Sequence, residues 1–214
     1  VFQGRPNAPR SDAAQDLLGT YQVVSSSEEM ARVPASADEF IAILESRHAW
    51  LLAGHSGKQA GRFLETENPQ SGTDCVAPAL VAETLTKGFE LYQALDDPFA
   101  RAIYMMFLVA EAHPYADGNG RMARFMMNAE LRHSGRCPVI IPAVYQEEYQ
   151  LALRALTHQD DAGPYIQMLD RAQEYTAQID FNDYDMACAQ FRESGAFLRA
   201  GEGQWLKPCE VFWD

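Results

Sequence analysis

His113-Pro114-Tyr115-Ala116-Asp117-Gly118-Asn119-Gly120-Arg121-Met122-Ala123-Arg124 places a base, a carboxylate, a glycine-flanked turn and two arginines in one short stretch. His113 is the side chain here whose ordinary pKa lets it accept a proton near neutral pH. Asp117 is a hard oxygen donor, suited to a Mg²⁺ ion that also bridges phosphates. Gly118 and Gly120 open backbone angles closed to other residues and let a ligand approach the chain. Arg121 and Arg124 are three apart, so a helix starting after the glycines sets both on one face. The free N–H groups of that helix start form an anion site. Guanidinium groups beside it suit polyphosphate oxygens. Base, carboxylate, phosphate cradle and arginines together describe phosphoryl or nucleotidyl transfer.

Two blander readings compete. Gly118-x-Gly120-x-x-Ala123 imitates a dinucleotide fingerprint, but no strand runs directly into it and no acid lies at the expected distance. A plain helical corner explains the glycines but not the base, acid and arginines together.

The elements that must hold this loop are apolar. Ala102 to Ala110 carries no charge, and Phe125, Met126 and Met127 follow on the other side. Pro114 cannot continue a helix and pushes His113 out of the α region, so the first helix stops near Ala112. The second runs from Arg121 to His133, with Gly135 as its stop. The loop is thus polar and sits between two buried helices.

The motif resembles the signature of the Fic family (filamentation induced by cAMP), His-x-Phe-x-(Asp/Glu)-Gly-Asn-Gly-Arg-x-x-Arg. The one departure is Tyr115 in place of Phe, which is tolerated where its hydroxyl finds a partner. The resemblance covers roughly residues 40–179. It implies a mainly α fold, a helical bundle around the central helix–loop–helix with a small β-hairpin flap. It implies transfer of AMP from ATP to a Ser, Thr or Tyr hydroxyl of a protein target, with pyrophosphate released. His113 would be the catalytic base and Asp117 the Mg²⁺ ligand. Gly118, Asn119, Gly120, Arg121 and Arg124 would bind the nucleotide's phosphates. Gly120 stands where the kinase branch of the family carries Lys, which favours AMP transfer. Removal of AMP, or transfer of another phosphate-containing group, by the same site stays open. So does a reading of another class, a non-catalytic module binding nucleotide or peptide.

Residues 60–78 read as two short extended pieces around an Asn-Pro and Ser-Gly turn. The resemblance makes them the flap, whose Arg62, Phe63 and Leu64 would dock target backbone as an added strand. Tyr145 and Tyr149 are candidates for stacking on adenine. The family's inhibitory helix, Ser/Thr-x-x-x-Glu-Gly/Asn, has no strict match. Ser25 to Glu29 is the nearest, so the inhibitory element is Ser25 and Glu29, lies on a small separate antitoxin-type partner, or is missing from the given sequence. Just upstream of the flap, Gly54-His55-Ser56-Gly57-Lys58 suggests a phosphate loop yet fits neither that spacing nor a serine elbow.

Further helices are expected over 25–33, 37–53, 78–96, 98–112, 146–156, 163–178 and 183–199, from apolar spacing, caps and Pro or Gly stops. Asp38 is a candidate cap for the second, and His48 on it reads as packed rather than ligating. The expected divisions are a leader and short helix at 1–36, the Fic domain at 37–180, and a helix and tail at 181–214. The chain has 214 residues, 47% hydrophobic, enough for a sizeable core. With 17 basic against 30 acidic residues, a net charge of −13, it is a poor partner for nucleic acid. ATP stays compatible, because the arginines and Mg²⁺ supply local positive charge. Cys75, Cys137, Cys188 and Cys209 have neither metal-ligand nor disulfide-framework spacing and read as free thiols in a reducing cytoplasm. No membrane-spanning or signal-peptide pattern is present, so a cytoplasmic location is expected. The oligomeric state is left open by the sequence.

Overall fold

The computed structural model describes residues 11–66 and 76–199. Eight α-helices and three short 3₁₀ turns make up the regular structure of these residues. They fall into two compact units, residues 1–134 and 135–214.

The first unit is built on five helices: α1 (Asp12–Ser25), α2 (Ala37–Leu51), α3 (Val81–Gln93), α4 (Pro98–Ala112) and α5 (Asn119–His133). Local chemistry sets their starts. Ser11 Oγ accepts from the Ala14 N–H at 3.3 Å, and Ser36 Oγ from the Glu39 N–H at 3.2 Å. The cap of α2 is therefore Ser36, and Asp38 instead lies in the first turn, where its charge suits the helix dipole. Asp97 Oδ1 caps α4 through the Ala100 N–H at 2.8 Å, with Pro98 at the first helical position.

α4 and α5 pack against each other, α4 against α3, and α2 against α1, α3 and α5. Ala102, Met105, Met106, Val109 and Ala112 of α4 are fully buried, as are Met122, Ala123, Met127 and Leu131 of α5. Each large apolar side chain so removed from water contributes roughly 1.5–3 kcal/mol, so this pair anchors the unit. Gly88 lets α3 approach α4 closely, since a Cβ there would fall 2.3 Å from Leu108 Cδ1. A buried ion pair ties the inter-helix loops down. Arg47, 1% exposed, pairs with Glu29 at 3.4 Å and donates to the carbonyls of Glu29 and Arg32.

α1 has no counterpart among the sequence expectations. It buries only Gly19 and Val23, too thin a stripe to stand out as a periodic pattern. The helix expected over 25–33 is a single 3₁₀ turn, Glu29–Ala31, which Pro34, having no N–H, cannot extend, and the Arg47 guanidinium donates to the Glu29 and Arg32 carbonyls at its end. The arm holding Arg62, Phe63 and Leu64 is irregular rather than a paired strand. The rest of the expected hairpin includes residues 67–75, which lie outside the described residues, as do 1–10 of the leader and 200–214 of the tail.

In the second unit, α6 (Gln146–Gln159) packs on α7 (Gly163–Ala177), and α8 (Tyr184–Glu193) follows. Tyr175, Ile179, Ala187 and Ala196 form a small buried cluster with Phe191 against it. α8 ends at Glu193, well short of the expected 199, because Gly195, just past the C-cap Ser194, takes a left-handed φ of 77° and stops it.

Candidate functional site

The loop joining α4 to α5 is shaped by its prolines and glycines. His113 ends α4 in the left-handed region at φ 44°, ψ 54°, where a non-glycine residue is uncommon. Pro114 forces it out of the right-handed α region, and this is where it goes. Gly118 caps α5 at φ 84°, a conformation suited to glycine. A Cβ there would also sit 3.0 Å from Leu51 Cδ2. The first bond of α5 runs from the Met122 N–H to the Gly118 carbonyl at 2.9 Å. The N–H groups of Asn119, Gly120 and Arg121 therefore have no acceptor within the helix, and they make the anion-binding end of α5.

Two side chains hold the loop in shape. Asn119, 4% exposed, clamps Tyr115: its Nδ2 donates to the Tyr115 carbonyl at 2.6 Å and its Oδ1 accepts from the Tyr115 N–H at 2.9 Å. Asn119 thus contributes a structural side chain as well as a backbone N–H. His48, 1% exposed, works from α2. Its Nδ1 accepts from the Gly61 N–H at 2.9 Å, so Nε2 carries the hydrogen and donates to the Asp117 carbonyl at 3.1 Å. Burial pushes His48 down to about 4, so the ring is neutral, as this bonding requires. The ring stacks on Tyr115 at 3.6 Å, and Phe63 meets Tyr115 edge-on at 5.4 Å. The Tyr115 hydroxyl, fully buried, has no hydrogen-bond partner among the described residues. The Leu64 N–H donates to the Pro114 carbonyl at 2.9 Å, which fixes the docking arm against the motif.

The chemical side chains lie around this frame. His113 is half-buried. Burial lowers its pKa, opposed by a hydrogen bond to the Ala110 carbonyl and the charge of Glu111, and the net direction is downward. It is therefore neutral at pH 7 and free to accept a proton. Asp117 accepts from Lys58 Nζ at 2.7 Å on Oδ2 and from Arg121 Nη2 at 3.2 Å on Oδ1. Burial would raise Asp117, but Lys58 and Arg121 outweigh it and hold the carboxylate ionised. Arg121 also pairs with Asp16 of α1 at 2.8 Å, and Asp16 with His55 at 2.9 Å. The Arg124 guanidinium lies over Gly120, where a Cβ would be 3.5 Å from its Nη1. A cavity of about 300 Å³ opens beside Asp117, lined by His48, Leu52, Gly57, Lys58, Arg62 and Ala116 among others.

Among the described residues no group of three His, Cys, Asp or Glu side chains is gathered to hold a metal alone. One carboxylate is nevertheless what Mg²⁺ takes from a protein when phosphates supply the remaining oxygens, so Asp117 fits that role.

The structure thus joins His113, Asp117, Gly118, Asn119, Gly120, Arg121 and Arg124 around one loop and brings Arg62, Phe63 and Leu64 to its edge. Lys58, His48 and Asp16 were not anticipated as site residues. The lysine in the near-miss phosphate loop was their one sequence signal. Tyr145 and Tyr149 belong to the second unit. There Tyr145 is 7% exposed with Arg171 over its ring at 5.9 Å, and Tyr149 packs near Tyr165 at 6.3 Å. Glu29 is held by Arg32 at 3.1 Å and Arg47 at 3.4 Å, and Ser25 Oγ donates to the Gln22 carbonyl at 3.4 Å.

The model of the Fic/DOC family matches residues 38–131, which include the whole loop. Over 136 residues the chain is 29% identical to "Protein adenylyltransferase fic-1" of Caenorhabditis briggsae, covering 61% of this chain and 26% of that protein. Over 82 residues it is 33% identical to "Protein adenylyltransferase Fic" of Drosophila persimilis, covering 38% of this chain and 16% of that protein. The chain thus spans about a quarter or less of the curated relatives it matches. Among solved structures, C. elegans Fic-1 (aa134 - 508) aligns with TM-score 0.65 at 23% identity, over 83% of this chain and 54% of that one. A Fic domain containing signaling protein from Bacteroides thetaiotaomicron aligns with TM-score 0.58 at 16% identity, over 77% and 69%. These likenesses show a shared fold.

Proposed function

We propose that this chain, whose residues 38–131 match the model of the Fic/DOC family, is a member of that family and transfers AMP from ATP to a hydroxyl of a protein target. The observation that carries the reading is the loop itself: a neutral imidazole, an ionised carboxylate and two guanidinium groups around an open helix start. Relatives named protein adenylyltransferase support it.

The target hydroxyl gives its proton to His113 as its oxygen bonds to the α-phosphorus. The bond from that phosphorus to the bridging oxygen breaks, and pyrophosphate leaves. The N–H groups of Asn119, Gly120 and Arg121 take the growing negative charge on the phosphates, which suits donors fixed before the reaction. Arg121 and Arg124 steady the leaving pyrophosphate. Asp117 would hold Mg²⁺, which would supply neutralisation of the phosphate charge. The Arg62–Leu64 arm, tied to Pro114, presents the target's backbone beside His113.

Purified protein is incubated with α-labelled ATP and Mg²⁺ beside His113→Ala. The expected result is label on protein that falls by about two to four orders of magnitude in the variant, the worth of a positioned base. Equal labelling by both proteins would remove His113 from the reaction. ATP binding without His113-dependent label would leave a nucleotide-binding module in place of an enzyme.

A further inference from the structure

We infer that Lys58, outside the motif, is a phosphate-binding residue of this site, exchanging the Asp117 carboxylate for the nucleotide's phosphates when ATP and its divalent cation bind. The inference rests on the nucleotide reading of the loop.

Lys58 comes from the segment that resembled a phosphate loop without matching its spacing. The fold brings it to the same place by another route. His55 N–H donates to Leu52 O at 2.9 Å and Ala60 N–H to Lys58 O at 3.0 Å, so the segment is a set of tight turns at the end of α2. Gly61 locks the far end. Its N–H is held by His48, and a Cβ there would fall 2.8 Å from the Glu45 carbonyl. The stem of Lys58 therefore leaves a fixed backbone and ends 2.7 Å from the carboxylate proposed to hold the metal, 59 positions along the chain.

That carboxylate is shared. Lys58 takes Oδ2 and Arg121 takes Oδ1, so both oxygens face a cation. A divalent ion placed on Asp117 sets two further positive charges beside the ammonium, and the pair cannot persist. The pair is weak enough to yield, since the side chains are 32% and 42% exposed and solvent screens them. Released, the ammonium stays within the lining of the cavity beside Asp117. Asp16 is also within electrostatic reach of Lys58 but is already paired with Arg121 at 2.8 Å, so the anions left for the ammonium are the phosphates gathered by the ion, Arg121 and the start of α5. A lysine suits this exchange, being a compact charge on a flexible stem with three rotatable donors.

Calorimetric titration of Mg·ATP into the full chain carrying His113→Ala, which prevents turnover, tests this. Lys58→Met is expected to weaken ATP binding about tenfold, the worth of a hydrogen bond to a charged group. Lys58→Arg, which keeps the charge, should retain binding within about threefold, and AMP should bind nearly alike to all three. A lysine that served only to neutralise Asp117 predicts the opposite sign: Lys58→Met would leave ATP affinity unchanged or tighten it, because the metal would lose a competitor. Either result overturns the proposal. Arg124→Ala in the same background separates the two levels. If it weakens ATP binding and Lys58→Met does not, Lys58 alone is wrong. If the parent chain binds no ATP, the nucleotide reading falls with it.

Discussion

Tyr115 and Asn119 divide the work of the motif loop in a way that neither residue type announces. Asn119 spends both ends of its amide on the backbone of Tyr115. Tyr115 packs against His48 and Phe63 but buries a hydroxyl with no partner among the described residues. Burial also pushes that phenol's pKa upward, as a desolvated group requires. An unmet buried donor costs about 1–3 kcal/mol. Tyr115→Phe removes it and keeps the ring, so the variant should be more stable by about 1 kcal/mol. The urea midpoint reads this directly, and a lower midpoint would mean that the hydroxyl is satisfied in solution.

The elements were legible wherever one local signal was enough. The start of α4 follows from Asp97 and Pro98, its end from Pro114, α2 from its apolar spacing, and the start of α7 from Gly163 and Pro164. The first helix was missed because its docking face is small. Gly19 explains how that face still works: a Cβ there would lie 2.0 Å from the Leu51 carbonyl, so α1 rests directly on the backbone of α2. Gly19→Ala must push α1 away, and it should cost about 1–3 kcal/mol, as overpacking does. Asp16, one turn earlier on α1, would then withdraw from Arg121. Hydrogen exchange should show faster opening of α1 in Gly19→Ala. Gly54→Ala, whose Cβ would meet only the Gln15 side chain at 3.5 Å, should leave α1 as it is. Similar protection in both variants would show that α1 does not depend on the contact.

Across the molecule, the motif could be read because its residues are contiguous, whereas its partners come from α1, α2 and the loop after α2. Lys58, His48 and Asp16 meet the motif only through packing, and no spacing rule reaches across 59 or more positions. These same partners set how the whole chain responds to acid. His48 titrates near 6.5 when unfolded and about 4 when folded, because burial disfavours the charged ring. As pH falls below 6.5 the unfolded chain takes up the proton first, so stability is lost between about 6.5 and 4, at up to ~1.4 kcal/mol per unit and about 3 kcal/mol in all. His113 is lowered too and acts in the same direction. Asp16 and Asp117, held below the usual 3.8 by their cation partners against the effect of burial, lose their contribution only at lower pH. Burial raises Glu130 despite Tyr92 and Arg101, so it acts oppositely and regains stability on acidification. The fall between neutral and mildly acidic pH therefore belongs mainly to the histidines. His48→Gln keeps a polar side chain of similar reach but removes the titration. Its urea midpoint should fall less steeply than the parent's between about pH 7.5 and 5, whatever its stability at neutral pH. Parallel lines for the two proteins would mean that His48 already carries its proton in the folded chain, and that the neutral bridge from Gly61 to Asp117 is not how the loop is held.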